Sequence, residues 1–157
     1  MVTLHPYLNF NGNTEEAFNF YKSVFGGEFL ALQRFGDIPD AGRVPAHELN
    51  KIMHIALSIG EGTLLMGTDA LESMGHSVTM GNNFHLSLDT SSVEEATTLF
   101  NALAQGGKVE VPFEKAFWGA YFGMLTDQFN IKWMVNHDLK KEEQEQVLKK
   151  EAETTTL

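Results

Sequence analysis

The chain has 157 residues, enough for one domain with its own core, and 43% hydrophobic and 20% charged residues are typical of a globular protein. Its formal net charge of -10 argues against nucleic acid as a partner, because acidic side chains repel a phosphate backbone. The absence of cysteine excludes disulfides and zinc–thiolate sites, and no run of 18 apolar residues occurs, so we expect a cytoplasmic protein without membrane contact.

The chain opens with a predicted strand and an amphipathic helix. Residues 3–10 alternate between apolar and polar side chains, which predicts a strand with one polar face. Asn13 or Thr14 is the predicted helix cap, and apolar residues then recur at three- and four-residue spacing. Gly26-Gly27 supplies a residue that can adopt a left-handed conformation and end the helix.

Three further strands complete this first unit. Residues 28–35 predict a second strand, and residues 52–59 and 63–68 predict a hairpin around Gly60-Glu61-Gly62. The intervening loop, residues 36–48, is long enough to be a lid or a partner contact. The order of elements is βαβββ.

The same order of elements recurs in the second half of the chain. The predicted helix there begins with Glu94-Glu95-Ala96, just as the first helix begins with Glu15-Glu16-Ala17. Ser92 and Glu95 match a capping box, in which a hydroxyl and a carboxylate satisfy free amides of the first turn. The fold class is therefore α+β, with two βαβββ modules, residues 3–69 and 82–137, in one domain of residues 1–137. The strands predicted in the second module are residues 83–88, 108–113, 118–126 and 131–136.

Residues 138–157 differ in composition from the rest of the chain. They are rich in Lys, Glu and Gln, and a helix that is polar nearly all round buries little surface. This charged C-terminal tail is either a frayed helix or an arm that a partner orders.

Alternation places polar side chains on one side of each predicted sheet. This side carries three strand histidines, His5, His54 and His85, which are either hydrogen-bonded structural residues or members of a ligand pocket. The other histidines, His47, His76 and His137, are expected to be solvated. The apolar side, facing the helices, is predicted to hold Leu4, Leu8, Phe84, Leu86, Trp133 and Val135, and the opposite side Tyr7, Asn9, Asn83, Ser87, Met134 and Asn136.

An aromatic cluster precedes the last hairpin. Trp118 and Tyr121 lie beside Gly119 and Gly123, where aromatic rings either belong to the core or form the wall of a ligand cavity.

Two ends of the chain resemble the PhnB-like branch of the vicinal oxygen chelate (glyoxalase/bleomycin resistance/dioxygenase) superfamily. The first resemblance runs from Pro6-Tyr7-Leu8-Asn9-Phe10-Asn11-Gly12-Asn13 to Phe25-Gly26-Gly27-Glu28. The second consists of Phe117-Trp118-Gly119-Ala120-Tyr121-Phe122-Gly123-Met124-Leu125-Thr126-Asp127 and Trp133-Met134-Val135-Asn136. Together the likeness covers about residues 3–137.

The resemblance implies two half-barrel sheets of the glyoxalase/bleomycin-resistance type in a homodimer, with the cup closed either within one chain or between two. Metal-using members of the superfamily place His, Glu, His and Glu on four strands. The matching positions here are His5 or Pro6, Met66, Asn83 and Met134. A thioether is a poor ligand for a hard or borderline divalent ion, so we expect no catalytic metal and no cofactor.

The leading hypothesis is a PhnB-like small-molecule-binding protein without an essential metal. The alternative is a metal-dependent enzyme of glyoxalase or dioxygenase type that uses the strand histidines, and a third is an interaction module that uses the loop and the tail. Some members of the branch carry a demethylubiquinone methyltransferase label, but no Gly-x-Gly strand-to-helix turn for a methyl donor occurs. The candidate ligand-binding residues are His5, Tyr7, Asn9, His54, Met66, Asn83, His85, Trp118, Tyr121 and Met134.

Overall fold

The computed structural model describes residues 1–39 and 41–156 and divides into two compact units, Met1–Gly81 and Asn82–Leu157. Asp40 in the predicted loop and Leu157 at the end of the predicted tail lie outside the described residues. Each unit packs one helix against an open four-stranded sheet, so the predicted α+β fold of two βαβββ modules is confirmed. That both modules belong to one domain stays a prediction.

The first unit contains five main elements. Its sheet has the order β1-β4-β3-β2, with β1 parallel to β4 and the other neighbours antiparallel. Four single 3-10 turns lie in its connections, three of them in the loop predicted after β2. The elements are β1 (Tyr7–Phe10), α1 (Thr14–Phe25), β2 (Phe29–Arg34), β3 (Ile52–Ile59) and β4 (Thr63–Asp69).

The second unit repeats this topology. Its sheet has the order β5-β8-β7-β6, again with one parallel pair, β5 and β8. A third helix follows the last strand. The elements are β5 (Leu86–Asp89), α2 (Val93–Ala104), β6 (Lys108–Ala116), β7 (Ala120–Thr126), β8 (Lys132–Asp138) and α3 (Lys141–Thr155).

Each sheet has one face covered by a helix and one face that we call the open face. On the first sheet, Leu8 and Phe10 are buried under α1, whereas Tyr7 and Asn9 lie on the open face. On the second sheet, Trp133 and Val135 are buried beneath α2 and alternate with less buried residues on β8. The period-2 patterning of the sequence therefore assigns these faces correctly.

The first strand of each unit is shorter than predicted. Leu4 is 83% exposed and Phe84 is 59% exposed, so the prediction that they face the helices is wrong. Pairing of β1 begins at Tyr7, just after Pro6, because proline has no backbone N–H to continue the ladder. The Pro6 carbonyl still accepts a hydrogen bond from Met66 N at 3.1 Å.

Helices α1 and α2 are capped differently. Ser92 accepts a hydrogen bond from Glu95 N at 3.1 Å, as the capping box predicts. Asn13 makes no side-chain cap on α1. Thr14 instead donates both its amide and its hydroxyl to Asp69, at 3.0 and 2.6 Å, and Asp69 also accepts from Ile52 N at 2.8 Å. The helix start is thus tied to the end of β4 and the start of β3.

The tail forms helix α3 and belongs to the second unit. Leu139 is only 6% exposed, and Lys115 pairs with Glu151 of α3 at 3.1 Å. His137, predicted to be solvated, is 3% exposed and bridges two elements: Nδ1 lies 2.9 Å from the Thr90 carbonyl and Nε2 3.3 Å from Glu143. The prediction of a solvated His137 is wrong because His137 shares the buried parity of Trp133 and Val135 on β8. No helix in the described part of the chain is both long and apolar enough to span a membrane.

Candidate functional site

A tyrosine–histidine pair marks the open face of the first sheet. The Tyr7 hydroxyl lies 3.2 Å from His54 Nδ1, and the two rings stack with centroids 5.8 Å apart and an interplanar angle of 27°. Tyr7 is 44% exposed. The pair therefore offers a flat aromatic surface and a hydrogen-bonding edge to any molecule that reaches this face.

The strand register places four further side chains on the same face as this pair. Met66 is the partner of Tyr7, Thr68 the partner of Asn9, and Gln33 the partner of His54, so all six residues belong to the open face. Thr68 donates its hydroxyl to the Met53 carbonyl at 2.7 Å. The side-chain amides of Asn9 and Gln33 are exposed and can hydrogen-bond to a ligand on this face. The predicted residues Tyr7, Asn9, His54 and Met66 are brought together here.

His5 lies before β1 and has a structural hydrogen bond rather than a place beside Tyr7 and His54. Its Nδ1 accepts a hydrogen bond from Leu64 N at 2.9 Å. An imidazole nitrogen that accepts a backbone N–H carries no proton, so the proton of neutral His5 is on Nε2. His5 thus holds the start of the chain against β4, and neither ring nitrogen presents a free lone pair.

A second polar centre occupies the open face of the second sheet. Glu110 of β6 accepts hydrogen bonds from the ammonium of Lys132 and the hydroxyl of Thr126. His85 Nε2 lies 3.3 Å from Glu110 Oε2. The hydrogen bond from Lys132 is the largest cause that lowers the pKa of Glu110, followed by those of Thr126 and His85, and burial opposes them. The resulting pKa is about 2, so this carboxyl is ionised throughout the physiological range.

The aromatic residues near the second sheet divide between its two faces. Tyr121 pairs with the buried His137, and its ring lies 6.0 Å from that of Phe113, which stacks at 5.4 Å on Phe100 of α2. Tyr121 is therefore on the helix-covered side and does not join the open face, contrary to its selection as a ligand-wall candidate. Its parity on β7, matching buried Leu125, is the signal that identifies this.

Trp118 and the remaining candidates are accessible. Trp118 is 55% exposed in the β6–β7 turn, with its ring 5.7 Å from Phe122 and 5.1 Å from Phe117. Met134 pairs with Ser87 on the open face, and Asn83 is exposed before β5.

Sequence reasoning missed most of the second polar centre. Glu110, Thr126 and Lys132 were not among the candidates, although Thr126 and Lys132 share the open-face parity of Met134. Glu110 lies at an irregularity in the register between Val109 and Val111, and such a bulge redirects a side chain in a way that alternation alone does not reveal.

A divalent metal, as used by some members of the resembled superfamily, does not fit the side chains present. His5 Nδ1 already accepts a hydrogen bond from Leu64 N. The positions that match the carboxylate ligands of metal-using members hold the thioethers of Met66 and Met134. Within either unit, the described residues hold no group of three or more His, Asp or Glu side chains able to share an ion.

Comparison with known proteins gives the chain its family. Residues 3–135 match the model of the Glyoxalase/Bleomycin resistance protein/Dioxygenase superfamily. Protein YjdN of Escherichia coli K12 is 34% identical over 143 residues, which are 86% of this chain and 95% of that protein. The crystal structure of protein PA1353 from Pseudomonas aeruginosa is 41% identical with a TM-score of 0.78, and the match covers 89% of this chain and all of that one.

A further solved structure ties the chain to one branch of this family. The PhnB protein of Bacillus cereus, provisionally assigned as a 3-demethylubiquinone-9 3-methyltransferase, is 26% identical with a TM-score of 0.69 over 87% of this chain and 99% of that one. The duplicated βαβββ units of this chain are consistent with the fold of that superfamily. The chain belongs to the Glyoxalase/Bleomycin resistance protein/Dioxygenase superfamily and is PhnB-like, as the sequence predicts.

Proposed function

We propose that the chain is a small-molecule-binding protein that works without an essential metal ion and binds its ligand on the open face of its first sheet. The observation that carries this proposal is the exposed Tyr7 ring, stacked on and hydrogen-bonded to His54 on a face lined by amide and hydroxyl groups. Proteins of the superfamily typically bind small molecules, which supports the same conclusion. The donor set described above supports the absence of a catalytic metal.

Methyl transfer is not part of the proposal. A nucleotide-bearing methyl donor is commonly held at a glycine-rich strand-to-helix turn. The corresponding strand-to-helix turns here are Asn11-Gly12-Asn13 and Thr90-Ser91-Ser92, and neither has the Gly-x-Gly pattern. At the first turn, Lys51 Nζ donates a hydrogen bond to the Gly12 carbonyl at 2.9 Å.

We also propose that the protein forms a homodimer in the cytoplasm. Members of the superfamily often dimerise, and several large apolar side chains are exposed along the outer strands. These are Leu30 and Leu32 on β2 and Val109 and Val111 on β6.

The binding proposal is tested by ligand-observed NMR against a library of metabolites and antibiotics, with a metal chelator present. We expect a ligand whose affinity falls about tenfold in Tyr7→Phe or His54→Gln, because each change removes a hydrogen-bonding group from the stacked pair. Tyr121→Phe is the matched control, since it removes the same hydroxyl from the helix-covered face and should leave the affinity unchanged.

Two results would contradict this proposal. The first is the absence of any ligand at millimolar concentration. The second is a stoichiometric metal in protein purified without chelators, together with binding that the chelator abolishes.

A further inference from the structure

A pocket of about 590 Å³ lies at one end of the second sheet. Its rim is formed by the α2–β6 turn at Gly106 and Gly107 and by the β7–β8 turn, which includes Gln128. Volumes of this size hold small molecules rather than single ions. The pocket includes neither Tyr7 nor His54, so its role is independent of the binding proposal made above.

A cross-strand row of side chains forms the floor of this pocket. Lys108 of β6 pairs with Thr126 of β7, and Thr126 pairs with Lys132 of β8. Directly paired residues project from the same face with Cβ atoms about 5 Å apart. Two lysines therefore flank one threonine on the same face of three adjacent strands.

The internal carboxylate balances only one of these two lysines. Glu110 accepts from Lys132 and Thr126, whose hydroxyl also accepts from Lys132 Nζ at 2.9 Å. An ammonium group has three hydrogens, and these two contacts leave a third for another acceptor. The side chain of Lys108 is exposed and makes no hydrogen bond or ion pair with the described residues, so its ammonium is available to a ligand.

The other acidic residue of the pocket is already saturated. Asp127 Oδ1 accepts from Phe129 N at 2.8 Å and Ile131 N at 3.1 Å, and its Oδ2 accepts from Trp133 Nε1 at 2.9 Å. Its charge is used to hold the β7–β8 turn. The pocket thus holds two lysines and two carboxylates, and the oxygens of Asp127 are used within the β7–β8 turn rather than on a lysine.

We propose that this pocket binds the oxyanion group of a small metabolite, a carboxylate or a phosphate, between Lys108 and Lys132. Lys108 supplies an ammonium group that no side chain of the described residues engages. Lys132, oriented by Glu110 and Thr126, donates its remaining hydrogen. Charge-assisted hydrogen bonds of this kind are the stronger ones available to a protein.

The test is an amide NMR titration of the full chain with inorganic phosphate and, separately, with succinate, at constant ionic strength held by sodium chloride. We expect saturable shifts at Gly106, Gly107 and Gln128, and the anion that saturates at lower concentration identifies the preferred group. Lys108→Gln should weaken that binding about tenfold or more. Lys150→Gln, an equal charge change on α3, should not alter it.

A different role for Lys108 would give a different result in this titration. Lys108 lies on an edge strand, where a lysine also protects against strand-to-strand association. If it serves only that purpose, neither anion produces a saturable shift, or Lys108→Gln and Lys150→Gln bind with equal affinity, and the proposal is overturned. An unchanged amide spectrum outside the pocket confirms that Lys108→Gln is folded.

Discussion

At the scale of single residues, Glu110 links the second polar centre to protein stability. Its pKa is lowered to about 2 in the folded chain, below an ordinary value of 4.5. A group whose pKa is lower in the folded state stabilises the fold above its unfolded pKa and loses this effect as the pH falls. The contribution is therefore complete above about pH 4.5 and disappears as the pH approaches 2.

Glu110→Gln should therefore destabilise the protein by about 1 kcal/mol at pH 7, a figure limited by solvent screening of a partly accessible group. It also leaves the Lys132 ammonium without its charged partner. Chemical denaturation at pH 7 and near pH 3 measures the effect, and the difference from wild type should shrink at the lower pH.

Glu114→Gln is the matched control for this experiment. Glu114 lies four residues further along β6, and its side chain makes no hydrogen bond or ion pair with the described residues. Its replacement should change stability little at either pH. A Glu110→Gln variant as stable as Glu114→Gln at pH 7 would show that the network contributes nothing to folding.

At the scale of elements, α1 and α2 each approach their own sheet closely at a glycine. A Cβ atom on Gly67 would lie 2.6 Å from Phe18 Cε2, and one on Gly123 would lie 2.7 Å from Phe100 Cε2. Phe18 is 0% exposed and Phe100 4%, so neither ring can move aside into solvent. The contact between helix and sheet depends on the missing side chain in both units.

Gly67→Ala and Gly123→Ala should each lower the free energy of unfolding by about 2 kcal/mol, the usual cost of overpacking a core. Thermal and chemical denaturation measure this loss. Gly42→Ala is the control, because nothing lies within 4 Å of a Cβ placed there. Equal stability of all three variants would refute the close packing described here.

Elements with a strong local pattern could be predicted from the sequence, whereas their long-range partners could not. The alternation around Leu8 and the spacing of Ala17 and Phe18 are local, and the corresponding strand and helix follow from them. The cap of α1 comes from Asp69, 55 residues away from Thr14, and no local signal identifies that carboxylate.

The candidate site follows the same division. Tyr7 and Asn9 were placed on the open face by alternation, and the register then brings Tyr7 to His54, 47 residues along the chain. Glu110 depends on a bulge and on partners from three other segments. His137 follows the buried alternation of Trp133 and Val135, whereas its contact with Glu143 of α3 has no local signal in the polar sequence of that helix.

At the scale of the whole molecule, the outer strands bear on assembly. The edge strands of the two sheets include β2 and β6, and each exposes apolar side chains beside backbone groups that no neighbouring strand pairs within its own sheet. Leu30 is 65% exposed and Val109 is 44% exposed. An exposed apolar edge is a liability for a protein that remains alone, because it favours pairing with another chain.

The proposed homodimer therefore predicts a solution mass of twice 17.5 kDa at micromolar concentration, measured by sedimentation or light scattering. Leu30→Lys and Val109→Lys should each weaken the dimer if the edges associate, since a lysine at the contact adds a charge that must lose its water. Thr97→Lys, on the exposed side of α2, should leave the mass unchanged. A mass of 17.5 kDa for the wild-type chain would exclude the dimer, and a dimer insensitive to both edge variants would show that another surface forms it.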